Sequence, residues 1–185
     1  MENVVGFEFS DTHTILLELL GKLGYTVNEW VLCPTQFGIP NRRPRYYLFA
    51  TMGVNSIPST LGREWPNNLP KKCIGDFLDI DRVAIPVKLA DGRKCDPFLF
   101  VNEASITSSC FTKAYARPGR SGSLLEQGGH VTYFTPTEIA RLHCFPDLVF
   151  PPFITRDQMW KLIGNSVNVL VIGHVLCRFL VEADA

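Results

Sequence analysis

The 185-residue sequence lacks an excess of charge of either sign, because 18 Lys and Arg residues balance 18 Asp and Glu residues. A strong overall field that would attract nucleic acid is therefore excluded, and any such contact has to come from local clusters of cations. The sequence also lacks a basic segment followed by an apolar run, so we predict no signal peptide. Its longest apolar run is interrupted by His174 and Arg178 and is too short to predict a membrane span.

The six cysteines include no Cys-x-x-Cys pair, so we predict no zinc site and no bound metal. Internal repeats and low-complexity tracts are also lacking. We interpret the chain as a reduced intracellular protein of the cytoplasm or nucleus. What is present is a globular composition, 46% apolar and 19% charged, which is enough to bury a core.

Residues 1–52 have the pattern of a helix followed by two strands. The segment SDTHTILLELLGKLGY places apolar residues on one helical stripe, with Ser10 or Asp11 as cap and Gly24 as stop. TVNEWVLCPT and RRPRYYLFATM are strand-like and are joined by the turn-rich QFGIPN. This order is typical of the last part of an α/β domain, with a late antiparallel pair.

The composition changes in residues 53–131, where Pro, Gly, Asn and Ser interrupt short apolar runs. This pattern predicts an inserted, loop-rich subdomain. Helix signals return in residues 132–185. Thr135 and Thr155 are predicted caps of two helices, and NSVNVLVIGHVLCRFL predicts a last helix that starts with Asn165 and Ser166 as its caps. That helix is apolar nearly all round, which predicts burial and poor solubility of the chain by itself.

Two stretches contain clustered cations. In NRRPRYY, Arg43 and Arg45 would share one face of an extended chain and Arg42 the other. They could grip a carboxylate, phosphate or base carbonyl, or form a solvated edge that discourages aggregation. In SSCFTKAYARPGRSGSLL, cations interleaved with Phe111 and Tyr115 favour looped or single-stranded RNA, and a flexible basic loop is the alternative.

Three single features each have two interpretations. Free backbone N–H groups at Asn165 and Ser166 would favour an anion at a helix start, or these residues are only a cap. Glu2 is either a frayed terminal carboxylate or an acid that could protonate a ring nitrogen. Cys33 is either a nucleophile assisted by the nearby arginines or a packed small residue.

The order of four blocks then points to one family. ENVVGFE, FGIPNRRPRYYLFA, YFTPTEIARLHCFP and LIGNSVNVLVIGHVL resemble the C-terminal half of the cytosine-C5 methyltransferases, from Glu2 to about Leu176. CFTKAY resembles the Cys-Phe-Thr signature of the branch that methylates tRNA, the Dnmt2-type family, which also resembles this chain in having Asn41. The resemblance implies an α/β fold, the C-terminal part of a Rossmann-like S-adenosylmethionine-dependent methyltransferase. Residues 1–52 would be a catalytic remnant, 53–131 a target-recognition region and 132–185 the returning helices.

The resemblance also implies roles for individual residues. Glu2 would contact a flipped cytosine at its ring nitrogen and amino group, and Asn3 would order the same loop. Arg45 would lie next to the base carbonyl, with Arg43 as its companion. Asn165 and Ser166 would lie beside S-adenosylmethionine. The remaining implied contacts are Cys110, Phe111 and Thr112 near the target base, and Lys113, Arg117 and Arg120 on the tRNA backbone.

Two family segments do not occur in the sequence, the Phe-x-Gly-x-Gly cofactor loop and the Pro-Cys-Gln nucleophile. We therefore expect a truncated tRNA (cytosine-5-)-methyltransferase that is inactive alone, whose partners are tRNA and the missing N-terminal half. Two alternatives stay open. The chain is part of a DNA-methylating relative, or it is a non-catalytic module that binds RNA or a partner.

Overall fold

A computed structural model of the chain describes residues 1–52, 69–87, 100–115 and 122–182. The described part contains a three-stranded sheet, a four-stranded sheet and four α-helices. The α/β class expected from the sequence is confirmed. The boundary predicted at residue 131 falls inside a strand, His130–Tyr133, and the division into three regions stays a prediction.

The first sheet is formed by β1 (Glu2–Val4), β2 (Tyr25–Leu32) and β3 (Arg45–Met52). Its order is β1-β3-β2 and both pairings are antiparallel. The predicted late antiparallel pair is therefore confirmed. Sequence patterns did not indicate β1, a strand of three residues.

Helix α1 (Asp11–Lys22) precedes β2, and the Ser10 side chain caps it by accepting a hydrogen bond from the His13 backbone N–H at 3.2 Å. The His13 ring lies 2.5 Å from a Glu29 carboxylate oxygen of β2, which also accepts a hydrogen bond from the Tyr46 hydroxyl of β3. Burial raises the pKa of the Tyr46 hydroxyl, and the hydrogen bond to Glu29 and the charge of Glu29 raise it further. One buried polar cluster thus ties α1 to the sheet.

The second sheet contains β4 (Ile85–Pro86), β5 (Phe100–Val101), β6 (Leu124–Gln127) and β7 (His130–Tyr133), in the order β4-β7-β6-β5. β6 and β7 form a hairpin through Gly128 and Gly129, whose φ angles are 59° and 79°. Two consecutive positive φ angles are what the tight hairpin turn requires, and glycine adopts them without strain.

Three helices follow, α2 (Pro136–Leu142), α3 (Arg156–Gly164) and α4 (Val169–Glu182). The predicted caps at Thr135 and Thr155 are confirmed, each with a complete capping box. The predicted start of the last helix is wrong. α4 begins three residues later, where the Asn168 side chain accepts a hydrogen bond from the Val171 N–H and donates one to the Leu142 carbonyl, both at 3.1 Å.

Two apolar clusters form the core. The larger joins the second sheet to α2 and α3, and the smaller packs α4 on the first sheet through Val171 and Val175. Residues 156–177 are long and apolar enough in composition to span a membrane. They do not form one helix, however, because α3 ends at Gly164 and α4 begins at Val169. Trp160 and Ile163 of this segment are buried in the larger cluster.

Candidate functional site

The candidate site begins at the edge of the first sheet, where β1 pairs with β3. The pairing places Glu2 opposite Tyr47 and Val4 opposite Arg45. A Glu2 carboxylate oxygen lies 3.2 Å from Nε of Arg45, and these side chains are 21% and 16% exposed. Glu2 is therefore a half-buried, paired carboxylate on a strand and not part of a frayed end.

Asn3 stabilises its own segment, because its side-chain oxygen accepts a hydrogen bond from the Val4 N–H at 2.8 Å. Such a short-range bond fixes the backbone beside Glu2. This local contact agrees with a residue that orders the loop.

Arg43 is buried, with 3% of its surface exposed. Its guanidinium donates hydrogen bonds to the backbone carbonyls of Phe111 (3.0 Å), Gly164 (3.2 Å) and Ser166 (2.7 Å). Two segments of the chain, one at Phe111 and one at residues 164–166, are therefore held by one side chain. This geometry suits a positioning residue, because the Arg43 guanidinium binds backbone carbonyls of the protein itself.

Both arginines also donate to the Cys110 sulfur, Arg43 at 3.4 Å and Arg45 at 3.6 Å. The prediction that these two side chains share a face is confirmed, and Arg42 is exposed on the other side. Residues 42–44 belong to no strand, and β3 begins at Arg45. Cys110 is thereby placed beside the Glu2–Arg45 pair.

Several buried polar side-chain atoms in this region lack a hydrogen bond among the described residues. These atoms belong to Asn41, Arg43 and His143, and one buried Glu2 oxygen has only its ion pair with Arg45. Buried polar atoms are nearly always paired in folded proteins. Their concentration around the arginine pair is typical of a site that binds a polar ligand.

His143 was not indicated by the sequence analysis. Its side chain is fully buried, and burial, followed by the charges of Arg43 and Arg45, lowers its pKa to about 3. The imidazole is therefore neutral at physiological pH. A lone histidine at the end of a helical pattern gives no sequence signal that would distinguish it from a packed core residue.

The prediction that Phe111 and Tyr115 stack on RNA bases is wrong. Phe111 is 1% exposed and Tyr115 is 5% exposed, and their rings pack edge to face at 5.1 Å, with Phe134 against Phe111. Neither ring can stack on a base, because both are part of the core. Thr112 is half-buried and Lys113 is exposed. Arg117 and Arg120 lie outside the described residues.

Gly164 lets the segment around Thr112 pack on the end of α3. A Cβ atom at this position would overlap the backbone of Thr112 and Lys113 far inside van der Waals contact. Only glycine permits this approach. The contact brings Phe111 and Cys110 to Arg43.

Asn165 and Ser166 do not form the predicted anion site. Their backbone N–H groups donate to the carbonyls of α3, and the Ser166 hydroxyl donates to Ile163 at 2.6 Å. These residues end one helix instead of starting the next. The free N–H groups that would hold a cofactor carboxylate are therefore not available there. Among the described residues, no group of three His, Cys, Asp or Glu side chains could hold a metal ion.

Comparison with known proteins gives consistent results. Residues 117–179 match the family described as C-5 cytosine-specific DNA methylase. A tRNA (cytosine(38)-C(5))-methyltransferase of Spodoptera frugiperda is 31% identical over 215 aligned residues, covering 95% of this chain and 64% of the relative. A protein of the same name from Schizosaccharomyces pombe is 31% identical, with 97% of this chain and 62% of the relative covered.

The fold is similar to a solved structure as well. The crystal structure of S. pombe Dnmt2 methyltransferase aligns with a TM-score of 0.82 and 28% identity, covering 98% of this chain and 64% of that one. The chain thus spans slightly less than two thirds of the length of these relatives.

Proposed function

From the premise that this chain is a relative of the Dnmt2-type cytosine-C5 methyltransferases, we propose that it supplies the cytosine-binding and RNA-recognising part of a tRNA (cytosine-5-)-methyltransferase. Such an enzyme transfers a methyl group from S-adenosylmethionine to C5 of a cytosine. The observation that carries the proposal is the half-buried Glu2–Arg45 pair, with its acceptor and donor side by side.

This pair is complementary to the Watson–Crick edge of cytosine, which presents one amino donor and two acceptors, N3 and the C2 carbonyl. The Glu2 carboxyl group would accept from the amino group and, when protonated, donate to N3. Arg45 would donate to the C2 carbonyl. Uracil presents a carbonyl where cytosine has its amino group, so the Glu2 oxygen that would accept from that amino group would face an acceptor instead and lose its hydrogen bond.

Protonation at N3 matters for the chemistry because attack of a thiolate at C6 drives electron density into the ring. Arg43 and Cys110 would hold Arg45 and the segment around Phe111 in position. The sequence contains no Pro-Cys-Gln, so we propose that the 185-residue chain binds its target without methylating it. S-adenosylmethionine enters this proposal through the resemblance alone, since Asn165 and Ser166 do not offer the carboxylate site expected of them.

The test is binding of an anticodon stem-loop RNA with cytosine or uracil at position 38, the position named for the relatives. Fluorescence anisotropy should give tighter binding of the cytosine RNA, and Glu2→Gln should lower that preference by about tenfold, the value of one lost charged hydrogen bond. Glu18→Gln, an exposed carboxylate on α1, is the matched control. Equal affinity for the two RNAs would overturn the cytosine site, and methyl transfer by the chain alone would overturn the proposed inactivity.

DNA is the second candidate substrate, because the matched family is described as a DNA methylase. The same cytosine in duplex DNA serves as competitor in the binding assay. Displacement of the RNA by an equal concentration of duplex DNA would favour the DNA-methylating alternative. A module that completes a split enzyme would instead gain methyl transfer when mixed with the N-terminal part of a relative.

A further inference from the structure

A cleft of about 700 Å³ lies beside the candidate site and is not used by the proposed base contacts. One wall is the segment 33–44, between β2 and β3. The opposite wall comes from Leu69, Lys71, Ile106 and Thr107. The volume is within the range of sites that hold a small organic ligand such as a nucleotide.

The two walls are fastened to each other by backbone contacts. The Gly38 carbonyl accepts a hydrogen bond from the Lys72 N–H at 2.9 Å. A Cβ atom at Gly38 would overlap the Pro70 carbonyl oxygen, and its φ of +77° also favours glycine. At the other end, the Arg42 N–H donates to the Ser108 carbonyl at 2.8 Å and the Ser108 hydroxyl donates to the Pro40 carbonyl at 2.7 Å. The cleft is therefore held in shape by the described chain itself.

The chemistry of the cleft favours an anion that carries an apolar ring. Arg42 and Lys71 are exposed side chains on its two walls, and none of the described residues that line it is acidic. The charged side-chain groups of Arg42 and Lys71 have no hydrogen bond or ion pair within residues 1–52, 69–87, 100–115 and 122–182. Beside them lie Ile106 and Leu69, which are 58% and 41% exposed. Cations next to exposed apolar groups suit a phosphate and a base.

The cleft is adjacent to the candidate cytosine site. Arg42 and Pro44 line it, whereas Arg43 and Arg45 of the same segment reach Cys110. Alternate residues of the segment 42–45 thus contribute to the two places. A strand of RNA whose target base meets Glu2 therefore has its next nucleotide within reach of the cleft.

We propose that this cleft binds the nucleotide adjacent to the target cytosine in an RNA loop, with its phosphate between Arg42 and Lys71 and its base against Ile106. The inference rests on the proposed function and adds a second nucleotide site to it. Recognition is by charge and apolar contact, so the cleft accepts any base and fixes the geometry of the loop.

The phosphate contact is tested with the double variant Arg42→Ala/Lys71→Ala and the stem-loop RNA with cytosine at position 38. The double variant loses the one phosphate that both cations would contact, so the slope of log affinity against log salt concentration should fall by about 0.7, the value for one phosphate of a single strand. Lys22→Ala, an exposed cation on α1, should leave the slope unchanged. If the wild-type chain does not bind the RNA, the proposed function fails and this inference with it. If it binds and the double variant keeps the wild-type slope, this inference alone is overturned.

The base contact is tested with RNAs in which the nucleotide 5′ or 3′ of the target is abasic. For the wild-type chain, one of the two should bind about tenfold more weakly, the usual effect of losing one base contact. Ile106→Trp fills the cleft and should remove this difference between intact and abasic RNA, while circular dichroism checks that the variant is folded. Equal binding of intact and abasic RNAs by the wild-type chain overturns the base site.

Discussion

His143 has a consequence for the dependence of stability on pH. Its pKa is lowered to about 3 in the folded chain, against 6.5 when unfolded, so between these values the unfolded chain binds more protons. Stability therefore falls as the pH drops from 6.5 towards 3, by about 1.4 kcal/mol for each pH unit. Above pH 6.5 this contribution is constant.

His143→Leu should remove that slope and raise stability at neutral pH, since it also removes two buried ring nitrogens that have no partner among the described residues. Urea unfolding at several pH values between 4 and 8 measures the effect. His130→Leu, which changes an exposed histidine of β7, should keep the wild-type slope. An unchanged slope in His143→Leu would show that this histidine is not buried and neutral.

Cys144 is the one described residue other than glycine with a positive φ, +60°. It ends α2, with its N–H donating to the Arg141 carbonyl and the next N–H donating to Ala140, the arrangement in which glycine is usual. Cys144→Gly should therefore be more stable than Cys144→Ala by about 1 kcal/mol, since both lose the thiol and only alanine keeps the strain. Thermal or urea unfolding compares the two.

At a position inside α2, alanine should instead be more stable than glycine. Ala140→Gly should cost about 1 kcal/mol relative to the parent chain, because glycine is a poor helix former. If glycine at position 144 proves less stable than alanine, the left-handed conformation there is absent.

At the scale of elements, one ion pair links α2 to the segment before β4. Glu138 is fully buried and its carboxylate lies 2.8 Å from Nε of Arg82, which also donates to the Tyr133 carbonyl. The same carboxylate completes the capping box of α2 through the Thr135 N–H. Two elements thus depend on one buried acid.

Glu138→Gln should lower the free energy of unfolding by about 3 kcal/mol, because Arg82 then stays buried without its counter-charge. The exposed acid Asp157 in the first turn of α3 provides the control, and Asp157→Asn should cost less than about 1 kcal/mol. Denaturant unfolding of both variants distinguishes them. A loss below 1 kcal/mol in Glu138→Gln would mean that the pair is exposed to solvent.

The helix starts show what sequence could and could not predict. Thr135 and Thr155 were correctly placed, because a capping box is a contact between residues three apart. The start of α4 was placed too early, since Asn165, Ser166 and Asn168 are all good capping types. The choice is made by the bond from Asn168 to the Leu142 carbonyl, 26 residues away, which no local pattern contains.

In the candidate site, too, the sequence predicted some features and missed others. The alternation of an extended chain predicted that Arg43 and Arg45 face one side. Their meeting with Cys110, which follows Arg43 by 67 residues and Arg45 by 65, could not be derived from spacing. Phe111 was misassigned because a signature of residue types does not say which side chain is buried.

At the scale of the whole molecule, the described surface carries an unpartnered apolar stripe on α1. Ile15, Leu19 and Leu23 follow one helical face and are 56%, 52% and 63% exposed. The sequence led us to expect the exposed patch on α4, but Val171 and Val175 of that helix are buried. The stripe on α1 therefore adds an apolar surface for self-association to the one expected on α4, where Leu176 is 41% exposed.

The wild-type chain should form concentration-dependent oligomers in analytical ultracentrifugation, and Ile15→Glu/Leu19→Lys should shift it towards monomer by breaking the stripe. Gly21→Lys adds a charge on the opposite face, in open space, and should leave the association unchanged. A wild-type chain that is a monodisperse monomer and unfolds cooperatively would contradict the expectation.

The carbonyl partners of Arg43 set the order of events during synthesis. Gly164 and Ser166 follow it by 121 and 123 positions, which a ribosome working at 5–20 residues per second adds in roughly 6–25 s. A guanidinium cannot be buried before its partners exist, because an unpaired cation in the interior is too costly. The β2–β3 hairpin therefore has time to form long before the arginine segment closes. Limited proteolysis of nascent chains stalled before and after Ser166 should show cleavage near Arg43 only in the shorter ones.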